Sequence, residues 1–312
     1  MTTVATHCPY CALQCGIFYT PDPAGGTIAP NPLFPVNKGG LCVKGWSAAA
    51  TLNHPDRLRT PLVRTRDGGL SAVSWAVALD EAAERIRRVQ AEFGRDAVGV
   101  FGGGSLTNEK TYLVGKFARV ALGTANVDYN GRFCMSSAAA AVTRAVGIDR
   151  GLPFPLEDIA RTAVVLLVGG NPAETMPPIM QYFEAQQQNG GRLIVVDPRH
   201  TATALWAGAH LRIKPGTDAA LANGLLHVLI RDALLDQTFI ESRTEHFDQA
   251  RRVAMAYWPE RVEQITGISE RQLVETAHAL GRAPSAMVLT ARGPEQQSQG
   301  CLLYTSPSPR DS

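Results

Sequence analysis

Cys8, Cys11, Cys15 and Cys42 follow the pattern C-x2-C-x3-C-x26-C, with three thiols on one tight loop and a fourth brought from a distance. Clustered cysteines plus a remote one recur in cubane iron–sulfur sites, whose bulky core takes four thiolates. Structural zinc favours two separated C-x2-C pairs, and the chain has no second such pair. Two disulfides are the other competing reading. Three cysteines within eight residues pair only under strain, however, and the rest of the chain lacks the cysteine density of a small secreted scaffold. The spacing favours an iron–sulfur cluster over both.

A fifth cysteine stands alone in Asn130-Gly131-Arg132-Phe133-Cys134-Met135-Ser136-Ser137. A lone cysteine commonly serves as a small apolar residue. Its place at the start of a predicted helix, beside Arg132, favours thiolate over thiol, which suits a metal ligand or a nucleophile. Taken by itself, Cys134 leaves both readings open.

Further chemistry sits on turns that follow predicted strands: Gly102-Gly103-Gly104-Ser105, Gly169-Gly170-Asn171-Pro172-Ala173-Glu174, Asp197-Pro198-Arg199-His200 and Lys214-Pro215-Gly216-Thr217-Asp218. Glycines let a backbone approach a ligand closely, and helix starts supply N–H groups for phosphates. Asn171, Asp197 and Asp218 could hydrogen-bond amino or hydroxyl groups of a nucleotide or pterin. Any single turn reads as ordinary capping. Four in succession favour a long, polar, phosphate-bearing cofactor. The first βα turn lacks G-x-G-x-x-G, so a simple NAD site is not supported. The seven histidines show no ligand spacing, and His7 and His200 read as supporting or solvated groups. No Ser-His-Asp or paired-carboxylate arrangement is suggested.

The elements that must position these residues follow from periodicity. Residues 1–62 are rich in Gly and Pro, with short apolar runs such as 16–20, and read as small strands and turns around the cysteines. An amphipathic helix is predicted over 74–93, its stripe formed by Leu79, Ala82, Ala83, Ile86, Val89 and Phe93. A buried strand is predicted at 96–101, then helices at 107–122 and 134–146. Apolar runs at 163–168 and 193–196 read as parallel strands separated by a helix at 180–188. A short strand at 210–213, helices from 217 to 283 and a strand at 286–290 complete an alternating βα pattern. That alternation indicates an α/β fold with a parallel sheet. No internal repeat is visible.

Composition narrows the function classes. A chain of 312 residues, 45% hydrophobic, can bury a large core in two or more domains. A net charge of +2 without a basic run interleaved with aromatics disfavours nucleic acid. The longest apolar stretch is too short for a bilayer, so no membrane association is expected. With Met1 as the true start, a cysteine at position 8 leaves no room for an apolar leader. No twin-arginine signal is present either, so the protein is expected to be cytoplasmic. Residues 301–312, CLLYTSPSPRDS, break the pattern and read as an artefactual tail.

Cys8-Pro9-Tyr10-Cys11-x3-Cys15-Gly16, Cys42-Val43-Lys44-Gly45, the Asn130–Ser137 stretch and the Gly169–Glu174 turn together resemble the prokaryotic molybdopterin oxidoreductases. Within that family the chain most resembles the assimilatory nitrate-reducing catalytic subunits. The resemblance covers residues 6 to about 300. It implies an α/β protein with a small cysteine-rich N-terminal [4Fe-4S] domain, residues 1–62. A parallel-sheet cofactor-binding region follows, residues 63–300, and the family's C-terminal domains are expected to be absent.

By the same resemblance Cys8, Cys11, Cys15 and Cys42 hold the cluster and Cys134 ligates molybdenum. Lys44 lies between cluster and pterin, where a cation stabilises added negative charge. Asn130, Asn171, Ala173, Glu174, Asp197, Arg199, Gly216, Thr217, Asp218 and Gln296 contact a molybdenum bis(molybdopterin guanine dinucleotide). The implied reaction is two-electron reduction of nitrate to nitrite, with electrons from ferredoxin, flavodoxin or an NADH-linked partner. A formate dehydrogenase of the same family is the nearest alternative. In those enzymes a histidine commonly follows the metal-binding residue, whereas Met135-Ser136-Ser137 follows here. A non-catalytic iron–sulfur electron-transfer module is the other alternative, against which Cys134 speaks. Taken as ending at Ser312, the isolated chain is expected to hold the molybdenum cofactor poorly and to reduce no nitrate.

Overall fold

The computed structural model describes residues 2–23, 25–147 and 152–297, with the side chains of Arg132, Phe133 and Met135 left aside. The expected anomalous tail, 301–312, lies outside the described residues. The chain forms two compact units. The first gathers the described residues up to 10, then 14–31 and 43–133; the second gathers 11–13, 32–42 and the remainder from Cys134 onward.

In the first unit β1 (Val4–His7), β2 (Gly16–Thr20) and β3 (Thr27–Pro30) form an antiparallel sheet in that order. Ile17 is buried on β2, and a single helical turn, α1 (Val43–Trp46), lies against β3. A hairpin of β4 (Leu62–Arg64) and β5 (Leu70–Ala72) follows. Helix α2 (Trp75–Phe93) starts where the sequence places it, with the Ser74 hydroxyl accepting from the Val77 N–H at 3.3 Å. Its apolar stripe does not become core. No residue of α2 is buried, and Leu79 and Phe93 remain 61% and 68% exposed.

The only parallel sheet of this unit among the described residues pairs β6 (Val100–Gly102) with β7 (Val127–Tyr129), three residues each. So small a sheet covers little of a nineteen-residue helix. It also replaces the expected buried strand at 96–101: Arg95–Ala97 is a 3-10 turn, and Phe101 is exposed. The expected helix at 107–122 is α3 (Asn108–Lys116) continued by a π-helical stretch, Phe117–Leu122, which Gly123 ends in the left-handed region at φ 67°. Helix α4 (Gly131–Val146) begins three residues before the predicted start at Cys134.

The second unit is an alternating α/β domain. In chain order it comprises α5 (Glu157–Arg161), β8 (Val164–Val168), α6 (Pro172–Thr175), α7 (Met180–Gln188), β9 (Arg192–Val196), α8 (Ala202–Trp206), β10 (Ala209–Leu211) and α9 (Asp218–Arg231). The chain continues through α10 (Gln237–Arg243), α11 (Phe247–Ala254), α12 (Pro259–Thr266), α13 (Glu270–Arg282), β11 (Ala286–Thr290) and α14 (Arg292–Glu295). All four strands are parallel, in the order β10-β9-β8-β11. The continuous apolar runs of β8 and β9 follow from burial on both faces.

Val164, Leu166, Ile194 and Val196 point to one face, where Leu221, Leu225 and Val228 of α9, Val262 of α12 and Leu273 of α13 complete the core. The alternate residues Val165, Leu167, Leu193 and Val195 are equally buried. The chain moves outward from β8 to β10, then returns to place β11 on the other side of β8. This reversal makes the carboxyl ends of β8 and β11 a topological switch point, where ligands of open α/β sheets bind. No helix among the described residues is long and apolar enough to cross a membrane.

Candidate cofactor site

Residues 8–15 form the loop of the β1–β2 hairpin. His7 opposes Gly16 in the register, and the Cys8 N–H donates to the Cys15 carbonyl at 2.8 Å, so the loop begins and ends on cysteine. Both are buried, and Gln14 turns the chain through a left-handed conformation at φ 46°. Cys11 and Cys42 are half-buried and belong to the second unit. None of Cys8, Cys11, Cys15, Cys42 and Cys134 is in a disulfide.

The thiols of Cys8 and Cys15 sit in dry surroundings, and thiolates are the donors that an iron–sulfur cube takes. Among the described residues no three His, Cys, Asp or Glu side chains converge to hold a single ion. A cube does not require that convergence, because each thiolate binds its own iron.

Cys42 is reached along a segment fastened to α7. The Tyr182 hydroxyl lies 2.8 and 2.9 Å from the carbonyls of Pro35 and Val36, and Gln181 Nε2 donates to the Asn37 carbonyl at 3.1 Å. Lys38 pairs with Glu157 at 3.1 Å, and its ammonium lies 5.0 Å from the centre of the Tyr182 ring. Lys44 follows in α1, half-buried, with its carbonyl accepting from the Ser47 hydroxyl at 3.2 Å.

The second set of predicted residues gathers along the carboxyl edge of the four-stranded sheet. Beyond β8, Gly169 takes a left-handed φ of 63°, and a Cβ there would lie 2.2 Å from Pro294 Cδ. The Gly293 N–H donates to the Gly169 carbonyl at 3.2 Å, so the exits of β8 and β11 touch backbone to backbone. Asn171 is buried, and its Oδ1 accepts from the Thr203 hydroxyl at 2.7 Å and from the Thr203 N–H at 3.3 Å. The Ala173 N–H donates to the same hydroxyl at 3.0 Å, while Glu174 is exposed.

Beyond β9 the buried Asp197 accepts from the Arg199 N–H at 2.8 Å; the guanidinium of Arg199 stays in solvent 3.8 Å away. A ring nitrogen of His210 lies 2.8 Å from the Asp197 carbonyl oxygen. Beyond β10, Gly216 turns at φ 84° and the Thr217 hydroxyl donates to the Lys214 carbonyl at 2.6 Å. Asp218, first residue of α9, is almost wholly buried. Burial lifts its pKa above the ordinary carboxylate value and the charge of Asp197 adds to this, against a lowering backbone hydrogen bond at the helix start. Gln297 Nε2 donates to Asp218 Oδ2 at 3.0 Å, whereas Gln296 is exposed.

Asn171, Ala173, Glu174, Asp197, Arg199, Gly216, Thr217, Asp218 and Gln296 therefore share one sheet edge. Buried carboxylates and an amide there suit the N–H and acceptor groups of a heterocycle. The glycine run 102–104 does not belong to this edge, because it follows β6 in the other sheet. There Asn130 Oδ1 accepts from the Gly104 N–H at 2.7 Å. Cys134, fourth residue of α4, is half-buried, while the Arg132 side chain lies outside the described atoms. Thr203 was not singled out in the sequence, and in the turn 292–297 the sequence favoured Gln296 where it is Gln297 that bonds Asp218. Thr203 sits two residues past Thr201, whose hydroxyl caps α8, and in sequence the pair reads as capping alone.

Two family models match the chain: the molybdopterin oxidoreductase Fe4S4 domain over residues 1–54, and molybdopterin oxidoreductase over residues 57–306. The assimilatory nitrate reductase catalytic subunit of Bacillus subtilis (strain 168) is 41% identical over 305 residues, covering 96% of this chain and 42% of that protein. Formate dehydrogenase H of Escherichia coli (strain K12) is 36% identical over 306 residues, covering 96% and 43%. Among solved structures, acetylene hydratase from Pelobacter acetylenicus superposes with a TM-score of 0.84 at 25% identity, covering 95% of this chain and 41% of that one. The chain thus spans less than half the length of the relatives it matches.

Proposed function

We infer the function from one premise: the chain belongs to the molybdopterin oxidoreductase family, joining a [4Fe-4S] domain to an α/β domain with a parallel sheet. We propose that the polypeptide carrying it reduces nitrate to nitrite. The cysteine hairpin and the switch-point edge in one chain carry this reading, since they suit a one-electron relay and a long dinucleotide cofactor. Identity to the nitrate-reducing relative exceeds that to the formate dehydrogenase, and Met135-Ser136-Ser137 follows Cys134. A formate-oxidising activity is the second reading, supported by that relative's 36% identity.

When bound, the molybdenum cofactor supplies two-electron oxygen-atom transfer and the cluster supplies one-electron delivery. The protein's part is binding and electrostatics. Cys8, Cys11, Cys15 and Cys42 hold the cluster as thiolates, and Cys134 gives molybdenum a soft, electron-rich donor. Lys44 offsets negative charge added to either centre. Asn171, Asp197, Asp218 and their neighbours Ala173, Glu174, Arg199, Gly216, Thr217 and Gln296 seat the nucleotide arm, while Asn130 is a further cofactor contact. Residues 1–62 act as the cluster domain and 63–300 as the cofactor region of a cytoplasmic enzyme fed by ferredoxin, flavodoxin or an NADH-linked reductase.

The test is an anaerobic assay of the polypeptide carrying this chain, with nitrate plus reduced viologen, and separately with formate plus oxidised viologen. Nitrite formation that disappears in Cys134→Ser, while the iron content holds, is the expected result. Formate oxidation without nitrite formation would replace the nitrate reading with the second one. A colourless protein holding one zinc would remove both.

A further inference from the structure

We propose that Thr203 is a positioning residue that fixes the Asn171 carboxamide so that both its N–H donors are kept for an acceptor on the nucleotide arm of the cofactor. This rests on reading the sheet edge as the seat of that arm, and it assigns a role to a residue that does not itself touch the ligand.

The polarity of the network admits one arrangement. Two donors approach Thr203 and Asn171 that carry no acceptor function, the backbone N–H groups of Ala173 and Thr203. The Ala173 N–H requires the Thr203 hydroxyl oxygen to accept, at 3.0 Å. The Thr203 N–H, 3.3 Å from the Asn171 amide, requires the atom it meets to be oxygen. The Thr203 hydroxyl hydrogen then points at that same oxygen, 2.7 Å away. Oδ1 is therefore held twice and cannot exchange places with Nδ2 without losing both bonds and setting donor against donor.

Asn171 is 9% exposed and Thr203 is fully buried, so this network is shielded from water. Neither Nδ2 hydrogen of Asn171 meets an acceptor among the described residues. The nitrogen is not among the sealed, unpartnered atoms either, so it retains an opening. A nearly buried amide with two unspent donors on one open side calls for an acceptor such as a phosphate or ring oxygen. The backbone around it is fixed as well: the Asn171 carbonyl accepts from the Thr175 N–H and hydroxyl, each at 3.0 Å, and Gly170 is packed between Ala291 and Leu167.

The test uses guanosine diphosphate as probe of the nucleotide arm, titrated calorimetrically into the chain. Thr203→Val keeps the shape and removes the hydroxyl, and it should weaken binding about tenfold, the value of one hydrogen bond. Thr203→Ser should stay within about twofold of the parent. Asn171→Ala should lose as much as Thr203→Val, and the double variant no more than either. In 1H–15N spectra the Asn171 side-chain amide pair should shift on adding the nucleotide in the parent and in Thr203→Ser, and not in Thr203→Val.

Thr203→Val binding as tightly as the parent while Asn171→Ala binds weakly would overturn the positioning role and leave the nucleotide reading standing. So would losses that simply add in the double variant. A parent chain that takes up no guanosine diphosphate would overturn the nucleotide reading, and this proposal with it.

Discussion

Asp218 shows how a single residue at this edge is tuned. Burial and the nearby charge of Asp197 raise its pKa, so the folded chain holds this proton more tightly than the unfolded chain does. The ionised carboxylate therefore costs stability. That cost is absent below the ordinary carboxylate pKa and is fully felt once pH has risen through the raised value. Asp218→Asn should accordingly raise resistance to urea at neutral pH, with the gain fading in acid; unfolding curves at both pH values check this. The same variant should bind guanosine diphosphate ten- to a hundredfold more weakly, because a charge-assisted bond becomes a neutral one. The cysteines, Asn171, Asp197 and Asp218 stand out in the sequence as candidates because chemistry and local spacing coincide in them. Thr203 and Gln297 do not, since their hydrogen bonds to Asn171 and Asp218 reach across 32 and 79 residues of chain that no spacing rule spans.

Among elements, β8 and β9 were plain in the sequence because strands buried on both faces read as unbroken apolar runs. The pair β6 and β7 was not: three residues carry too little pattern, and the single apolar–polar–apolar step of Val127-Asp128-Tyr129 is too short to mark a strand. Helix α2 misled in the opposite sense. Its stripe has the right period, yet periodicity reports what a helix could bury and not what covers it. Leu79→Gln should therefore change unfolding free energy by less than about 0.5 kcal/mol, a surface value where a core reading expects several times more. Helix α13 is the contrasting case. Ser269 and Gln272 form a full capping box, and Leu273 and Ala277 are buried behind it. Ser269→Ala should cost about 1 kcal/mol, measured by the same urea titration.

For the molecule as a whole, the alternating α/β half could be drawn from the sequence nearly as it stands, whereas the interleaving of the two units could not. Residues 11–13 and 32–42 are grouped with the second unit, and the second of these segments is tied there by bonds made more than a hundred positions away. The first unit also shows water an unusual amount of apolar side chain, including Trp75, Leu79, Phe93, Leu113 and Val120. A hydrophobic dye such as anilinonaphthalene sulfonate should then fluoresce with the native chain before any melting begins; a dark native baseline would contradict this. The moorings of Pro35, Val36 and Asn37 to Tyr182 and Gln181 reach further still. The thread leading to Cys42 borrows its stiffness from a helix up to 147 residues onward. The brown colour of a loaded chain should therefore fade no later than that helix unfolds, which absorbance and circular dichroism followed together on warming would check.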